Sequence, residues 1–289
     1  MSKPRPDNNP SLRGAGPAWL PHVLLVPISV ATLYPVLYVV KLAFSGNDGG
    51  SASPIPTSIS FDAFTAVIGN TDSHGNWLFG QQLLNSLVIA GLTTVLGIIL
   101  ACTAAYGFAR FEFPGRRVGL LGFLATQMFP GILTMIPLYV LMQKLNLLDS
   151  IAGLTLVYAT TSIPFCTWTL KGYFDTLPPE LEESAYIDGA SRFTIFTKII
   201  LPLSAPAIAV TALFSFMSAW NEFVLAYTFL SSEQAFTLPV QIRNYVGDKD
   251  VQWSLFAASS LLVSLPVMAL FYALEKHLVG GLTAGGVKG

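Results

Sequence analysis

Six long apolar runs set the hydropathy pattern, at about residues 19–43, 83–108, 118–142, 151–173, 203–229 and 255–274. A helix of about 20 apolar residues crosses a bilayer core, so each run is long enough to span one. The first run exceeds the roughly 7–15 apolar residues of a secretory signal and is read as a retained span. Five runs contain proline: Pro27 and Pro35, Pro130 and Pro137, Pro164, Pro206, and Pro266. Membrane helices tolerate proline because neighbouring helices re-satisfy the freed carbonyls. The prolines fit kinked helices around a cavity, and equally the ordinary frequency of proline in spans. The second run carries Gly91, Gly97 and Gly107 instead, which allow close helix approach without forming a regular small-residue ladder. The pattern predicts an all-α membrane protein with six transmembrane helices. A polar tail occupies 1–18, the transmembrane domain 19–278 and a Gly-rich tail 279–289, with long polar connections at 45–82 and 231–252.

One connection breaks the pattern of plain polar loops. Residues 171–202 hold the acids Asp175, Glu180, Glu182, Glu183 and Asp188 and the bases Lys171, Arg192 and Lys198, the densest charge in the chain. Pro178-Pro179 suit a first helical turn, where a missing N–H costs nothing. The glutamates that follow favour the positive end of the helix dipole. Leu181 and Ala185 are four apart and share a face. Asp188-Gly189 ends this helix, because glycine accepts left-handed geometry. Phe193, Phe196 and Ile199 then recur every three residues, predicting a second short amphipathic helix that leads through Leu201-Pro202 into the next run. The segment reads as a structured knob with an apolar face (Leu181, Ala185, Ala190, Phe193) built to dock into a partner.

Composition narrows the class. The chain is 53% hydrophobic and 11% charged, against about 25% charge in an average globular chain, which points to a membrane rather than a soluble core. A net charge of -1 gives no basic field for nucleic acid. Orientation follows from the cations. Of the 15 lysines and arginines, eleven fall on the side of the termini (Lys3, Arg5, Arg13, Arg110, Arg116, Arg117, Lys171, Arg192, Lys198, Lys276, Lys288) and four on the other (Lys41, Lys144, Arg243, Lys249). The termini and the knob are therefore expected in the cytoplasm.

The motif Glu183-x-Ala185-x-x-Asp188-Gly189-Ala190, followed by Ile199-x-Leu201-Pro202, resembles the EAA loop of ABC importer membrane subunits, with Ser184 where the motif has alanine. The tail Val279–Gly289 is similar to that of the maltose-type sugar permeases, and the likeness runs from about Trp19 to the end. The resemblance implies a type I importer permease fold in a prokaryotic inner membrane. Its expected partners are a second permease subunit, an ATPase dimer and an extracytoplasmic sugar-binding protein. It implies that Glu183 meets a basic group on the ATPase and that Gly189 permits the turn of the coupling loop. It also implies that Thr283, Gly286 and Lys288 extend towards the ATPase, and that the loop bearing Gln241, Asn244 and Tyr245 reaches the sugar-binding protein. No cofactor is expected on this chain, since ATP and Mg would be bound by the partner ATPase. Maltose, maltodextrin or a related oligosaccharide is the expected cargo.

Catalytic signatures are absent: no G-x-x-x-x-G-K-[ST] loop, no H-E-x-x-H and no G-x-S-x-G occurs. Cys102 and Cys166 lie in apolar runs and read as small buried hydrophobes. His22, His74 and His277 match no metal-ligand spacing. Glu222 reads as an interfacial or cavity-lining carboxylate. Asn85 and Gln127 suit helix–helix hydrogen bonds and are compatible with a sugar path. An ion-coupled secondary transporter is the alternative; it would show internal symmetry or intramembrane acids, and neither is visible.

Overall fold

The computed structural model describes residues 19–46, 59–247 and 251–284. Among the described residues the chain is helical, and two isolated bridges, Thr71–Trp77 and Val246–Val251, stand in place of strands. Four helices are long and apolar enough to cross a membrane: α1 (Leu20–Phe44), α3 (Leu78–Arg110), α6 (Ile151–Phe174) and α13 (Trp253–Ala284). A short α2 (Asp62–Ile68) packs against the ends of α1, α3 and α13 remote from the knob, here termed the outer ends.

Two expected spans are broken. The run at 118–142 is divided into α4 (Arg116–Met128) and α5 (Gly131–Lys144), which meet at 99°. Pro130 stands at that corner, where it cannot continue the ladder of the preceding helix. The knob helices α7 (Glu180–Ile187) and α8 (Arg192–Ile195) continue through a π-turn, Phe196–Ile200, and a single turn α9 (Leu201–Leu203). This rod meets α10 (Ala205–Trp220) at 77°. Pro206 therefore sits in the first turn of a new helix and kinks nothing. The run at 203–229 also ends early, with Asn221–Phe223 separating α10 from α11 (Val224–Phe229). The last described elements are α12 (Leu238–Asn244) and α13, which runs ten residues past the apolar stretch expected to end near 274.

Helix α3 is the centre of the packing, lying along both α6 and α10. Its buried stripe is built of small residues: Ser86, Ala90, Gly97, Ala101 and Ala105. Gly97 has a physical reason to be glycine, because a Cβ there would lie 3.1 Å from Ser162 Oγ on α6 and 3.6 Å from Ser215 Oγ on α10. Gly91 and Gly107 face open space. The core divides into two clusters. One, at the outer end, gathers Trp220, Leu154, Phe229, Leu238 and Ala258. The other, at the knob end, gathers Cys102, Tyr106, Cys166, Leu170, Phe174, Phe196 and Ile200. Both cysteines are buried free thiols.

Candidate functional site

The knob is held in shape by its own backbone. Helix α7 ends in a Schellman turn: the Ala190 N–H donates to Ala185 O and the Gly189 N–H to Tyr186 O, each at 3.0 Å. Gly189 has φ of +85°, a left-handed conformation that costs an L-side chain about 1–2 kcal/mol. Ala185 and Ala190, brought together by the turn, pack on the inner core cluster. Ser191 then caps α8, its hydroxyl accepting from the Thr194 N–H at 3.2 Å. The sequence Asp188-Gly189-Ala190-Ser191 thus stops one helix and starts the next within four residues.

The outward surface differs from the expected face. Ala185, Ala190 and Leu201 turn inward, whereas Leu181, Tyr186, Ile187 and Phe193 are 42%, 65%, 84% and 75% exposed. Phe193 and Phe196 do not share a face: Phe196 is buried against Tyr106 at 4.8 Å between ring centres. The π-turn that begins at Phe196 shifts the register, so a three-residue spacing counted along the chain loses its meaning. Glu183 and Asp188 are exposed, and among the described residues the Glu183 side chain makes no hydrogen bond or ion pair. Pro202 is exposed within the single turn α9.

Glu182, next to the motif glutamate, is instead engaged by α3. Its carboxylate pairs with Arg110 and accepts from the Tyr106 hydroxyl at 2.8 Å, both on the last turns of α3. Arg110 Nη2 also donates to Leu177 O at 3.0 Å, and the Arg192 guanidinium lies 4.9 Å over the Phe111 ring. These contacts enclose a groove of about 350 Å³ lined by Tyr106, Arg110, Glu182, Tyr186, Ile187 and Arg192. Neither Tyr186-Ile187 nor the Arg110–Glu182 pair carried a usable signal in the sequence. The pair is separated by 72 residues, and no local spacing rule connects positions so far apart.

At the opposite end, Asn85 does not bond a neighbouring helix. Its amide donates to Gln234 O at 2.7 Å and Phe236 O at 3.2 Å, while Gln82 Nε2 donates to Glu233 O at 3.0 Å. The Leu238 N–H donates to Ser86 Oγ at 2.8 Å. Gln241 faces inward, accepting from Gln82 and Asn244 at 3.4 Å each, and Tyr245 packs on the outer core; only Asn244 of this expected trio is exposed. Asp149 accepts from the Ser231 and Ser232 N–H groups at 2.8 and 3.1 Å. Burial works to raise its pKa, but these backbone bonds outweigh burial and hold it below the usual carboxylate range. Asp72 is lowered further by Asn76, through side chain and backbone, with help from Gln234 and His74. Glu222 caps α11: its oxygens accept from the Leu225 and Ala226 N–H groups at 2.9 and 3.1 Å and from Tyr158 Oη at 2.6 Å. A carboxylate so placed is satisfied by a helix N-terminus.

Between α4, α6 and α10 lies a second cavity of about 510 Å³, with Gln127, Thr161, Ser162, Ser215 and Ser218 beside Phe123, Phe165, Trp168 and Phe214. Thr283 falls in the last turns of α13; Gly286 and Lys288 lie outside the described residues.

Residues 93–280 match the family of binding-protein-dependent transport system inner membrane components. The chain belongs to that family. This permease is 41% identical over 271 residues to the galactooligosaccharides transport system permease protein GanQ of Bacillus subtilis, covering 93% of this chain and 94% of the relative. It is 34% identical over 283 residues to the maltose/maltodextrin transport system permease protein MalG of Escherichia coli K12, covering 94% and 96%. In fold it is similar to a chain of a bacterial ABC transporter involved in the import of the acidic polysaccharide alginate, with a TM-score of 0.76, 24% identity and coverage of 89% and 94%. A chain of the MetNI methionine ABC transporter in an inward-facing conformation aligns with a TM-score of 0.56 at 14% identity, covering 73% and 99%. The permease is thus a multi-pass membrane protein with the type I importer fold, a transport subunit of an ABC importer.

Proposed function

We propose that this permease forms half of the translocation pathway of an ATP-driven oligosaccharide importer, and that α7–α8 is the coupling element on which an ATPase dimer acts. One observation carries the reading: a rigid, Schellman-closed knob presents Leu181, Tyr186, Ile187 and Phe193 outward beside an unpaired Glu183. An exposed apolar patch beside exposed acids with no side-chain partner among the described residues, Glu180, Glu183 and Asp188, is suited to a cleft holding a matching cation. The termini and the knob face the cytoplasm, as the cation distribution requires. ATP and Mg are bound by the ATPase, which closes and opens, and the knob passes this motion to the spans. Glu183, Asp188, Gly189 and Pro202 act on the outer side of the knob, while Ala185, Ala190 and Leu201 fix it to the body.

A second permease subunit completes the pathway, and an extracytoplasmic sugar-binding protein delivers cargo near Asn244. The tail bearing Thr283, Gly286 and Lys288 reaches the ATPase. Relatives named for galactooligosaccharides and for maltodextrin support a neutral oligosaccharide as cargo. The test is uptake in vesicles across a panel of labelled oligosaccharides, with wild type and Glu183→Lys. Wild type should take up one of them with ATP, and Glu183→Lys should lose about tenfold or more, as expected for reversing one charge of a desolvated pair, while still inserting. Equal uptake by the two proteins rejects the coupling role of Glu183.

A further inference from the structure

The geometry points to a function for the buried clasp Arg110–Glu182–Tyr106: we infer that it is the linkage by which motion of the coupling loop reaches α3, and that its three side chains are positioning residues for transport. The inference rests on the coupling role proposed for the knob.

The knob is joined by chain only to α6 and α10, whereas α3, the helix around which the body packs, belongs to a segment about 70 residues earlier. Helix α3 could follow the knob through apolar contact alone, but such contact is non-directional and lets surfaces slide. The clasp removes that freedom. Both oxygens of Glu182 are taken by α3, one by Arg110 and one by the Tyr106 hydroxyl, and the charged side chains are 15% and 14% exposed. Charge-assisted bonds of this kind are directional as well as strong.

Glu182 and Glu183 are neighbours on α7 and line one groove, Glu182 held by α3 and Glu183 open to a partner. The short helix therefore stands between a docking surface and the central span. A second grip comes from α8 and the π-turn after it, where Arg192 covers Phe111 and Phe196 lies against Tyr106. The end of α3 is held from both knob helices. From there the contact continues: Arg116, at the start of α4, donates to Phe108 O at 2.8 Å. Helix α4 in turn forms one wall of the 510 Å³ cavity.

The test uses the assembled complex with its ATPase, in proteoliposomes. Spin labels at Glu112→Cys, beyond the end of α3, and Thr176→Cys, at the root of the knob, report the distance between the two parts as ATP is added. Cys102 and Cys166 are buried and shielded from the label. In wild type the distance stays constant through the cycle. In Glu182→Gln it should change with nucleotide, and labelled maltotriose or galactotriose uptake per ATP hydrolysed should fall by about tenfold, the loss of one charge-assisted bond. Tyr106→Phe keeps the ring in place and should show a smaller fall in the same ratio. The reversed pair Arg110→Glu with Glu182→Arg should recover part of the coupling that either single change loses.

A distance that changes with ATP in wild type overturns the inference. So does a normal uptake ratio in both Glu182→Gln and Tyr106→Phe. The label distance responds to nucleotide alone, so a wild type that moves neither sugar removes the cargo assignment and leaves this test intact. A wild-type knob that recruits no ATPase overturns the coupling role and the clasp together.

Discussion

The two ends of this permease are fastened by different chemistry. At the outer end, segment 231–238 is seated by many separate hydrogen bonds: the neutral Gln82, Asn85 and Ser86 on α3 supply several, and the Asp149 carboxylate receives two more N–H groups. At the knob end, a half-buried ion pair, the bonds Tyr106–Glu182 and Arg110–Leu177 O and two aromatic contacts hold the loop, and large apolar side chains are left uncovered. The outer seat makes its hydrogen bonds within the chain. The inner one is unfinished, with an apolar patch and a free acid that only a partner would complete. The difference teaches where motion enters. A region closed by many bonds spread along a segment resists displacement, whereas one held by a few directional contacts gathered at the end of one helix can be moved as a unit and will carry its attachment with it.

The hardest blow to the inner end is Gly189→Val. A β-branched residue at φ of +85° adds strain of about 1–2 kcal/mol or more and removes the turn that sets α8 against α7. Uptake should fall to background while the protein still inserts, and capture of the ATPase by the membrane complex should fall with it.

Asn85→Ala strikes the outer seat. It strips the donor shared by Gln234 O and Phe236 O, a loss of about 1–3 kcal/mol. Proteolysis within 231–247 should speed up in intact cells, while ATP hydrolysis by the complex is little changed. Faster hydrolysis together with slow proteolysis would invert the contrast between the ends.

Gly97→Ala tests the axis that joins the two regions. The new methyl would sit 3.1 Å from Ser162 Oγ, and crowding of this kind costs about 1–3 kcal/mol. Gly91→Ala meets nothing and should be neutral or stabilising by roughly 0.5–1 kcal/mol. Thermal unfolding of the two variants in detergent gives the comparison directly.

The smallest effect is that of acid on the outer seat. Asp72 and Asp149 both titrate below the ordinary carboxylate value. Their stabilisation is therefore fully present above the unfolded value of about 3.9 and is lost only as pH falls through the lower folded values. Protease protection of the outer loop should be flat from about pH 7 to 5, where unperturbed carboxylates remain ionised as well, and should weaken only below about pH 4.

Much of this was legible in the residues themselves. Apolar runs longer than about 20 residues have few fates outside a bilayer, so the spans announce themselves. The turn at Asp188-Gly189-Ala190-Ser191 is local chemistry, a left-handed stop followed by a hydroxyl cap, and needs no tertiary help to be read. What escaped was whatever depends on which way a side chain faces. Leu181 and Ala185 share a helical spacing, yet the boundary between outside and inside runs between them. Phe193 and Phe196 are three residues apart along the chain, yet one is exposed and the other is buried against Tyr106. Asn85 found its partners in a loop about 150 residues away rather than on an adjacent helix.

The sequence by itself determined that this is a helical membrane protein with a structured, acid-rich loop, because hydropathy, capping and left-handed turns are set by neighbours along the chain. Only the tertiary structure decided that Glu182 holds α3 while Glu183 stays open, that Pro130 turns a span through 99°, and that Gly97 but not Gly91 is needed for packing. These outcomes depend on what lies across a gap of a few ångströms, and distance in space is not written in spacing along the chain.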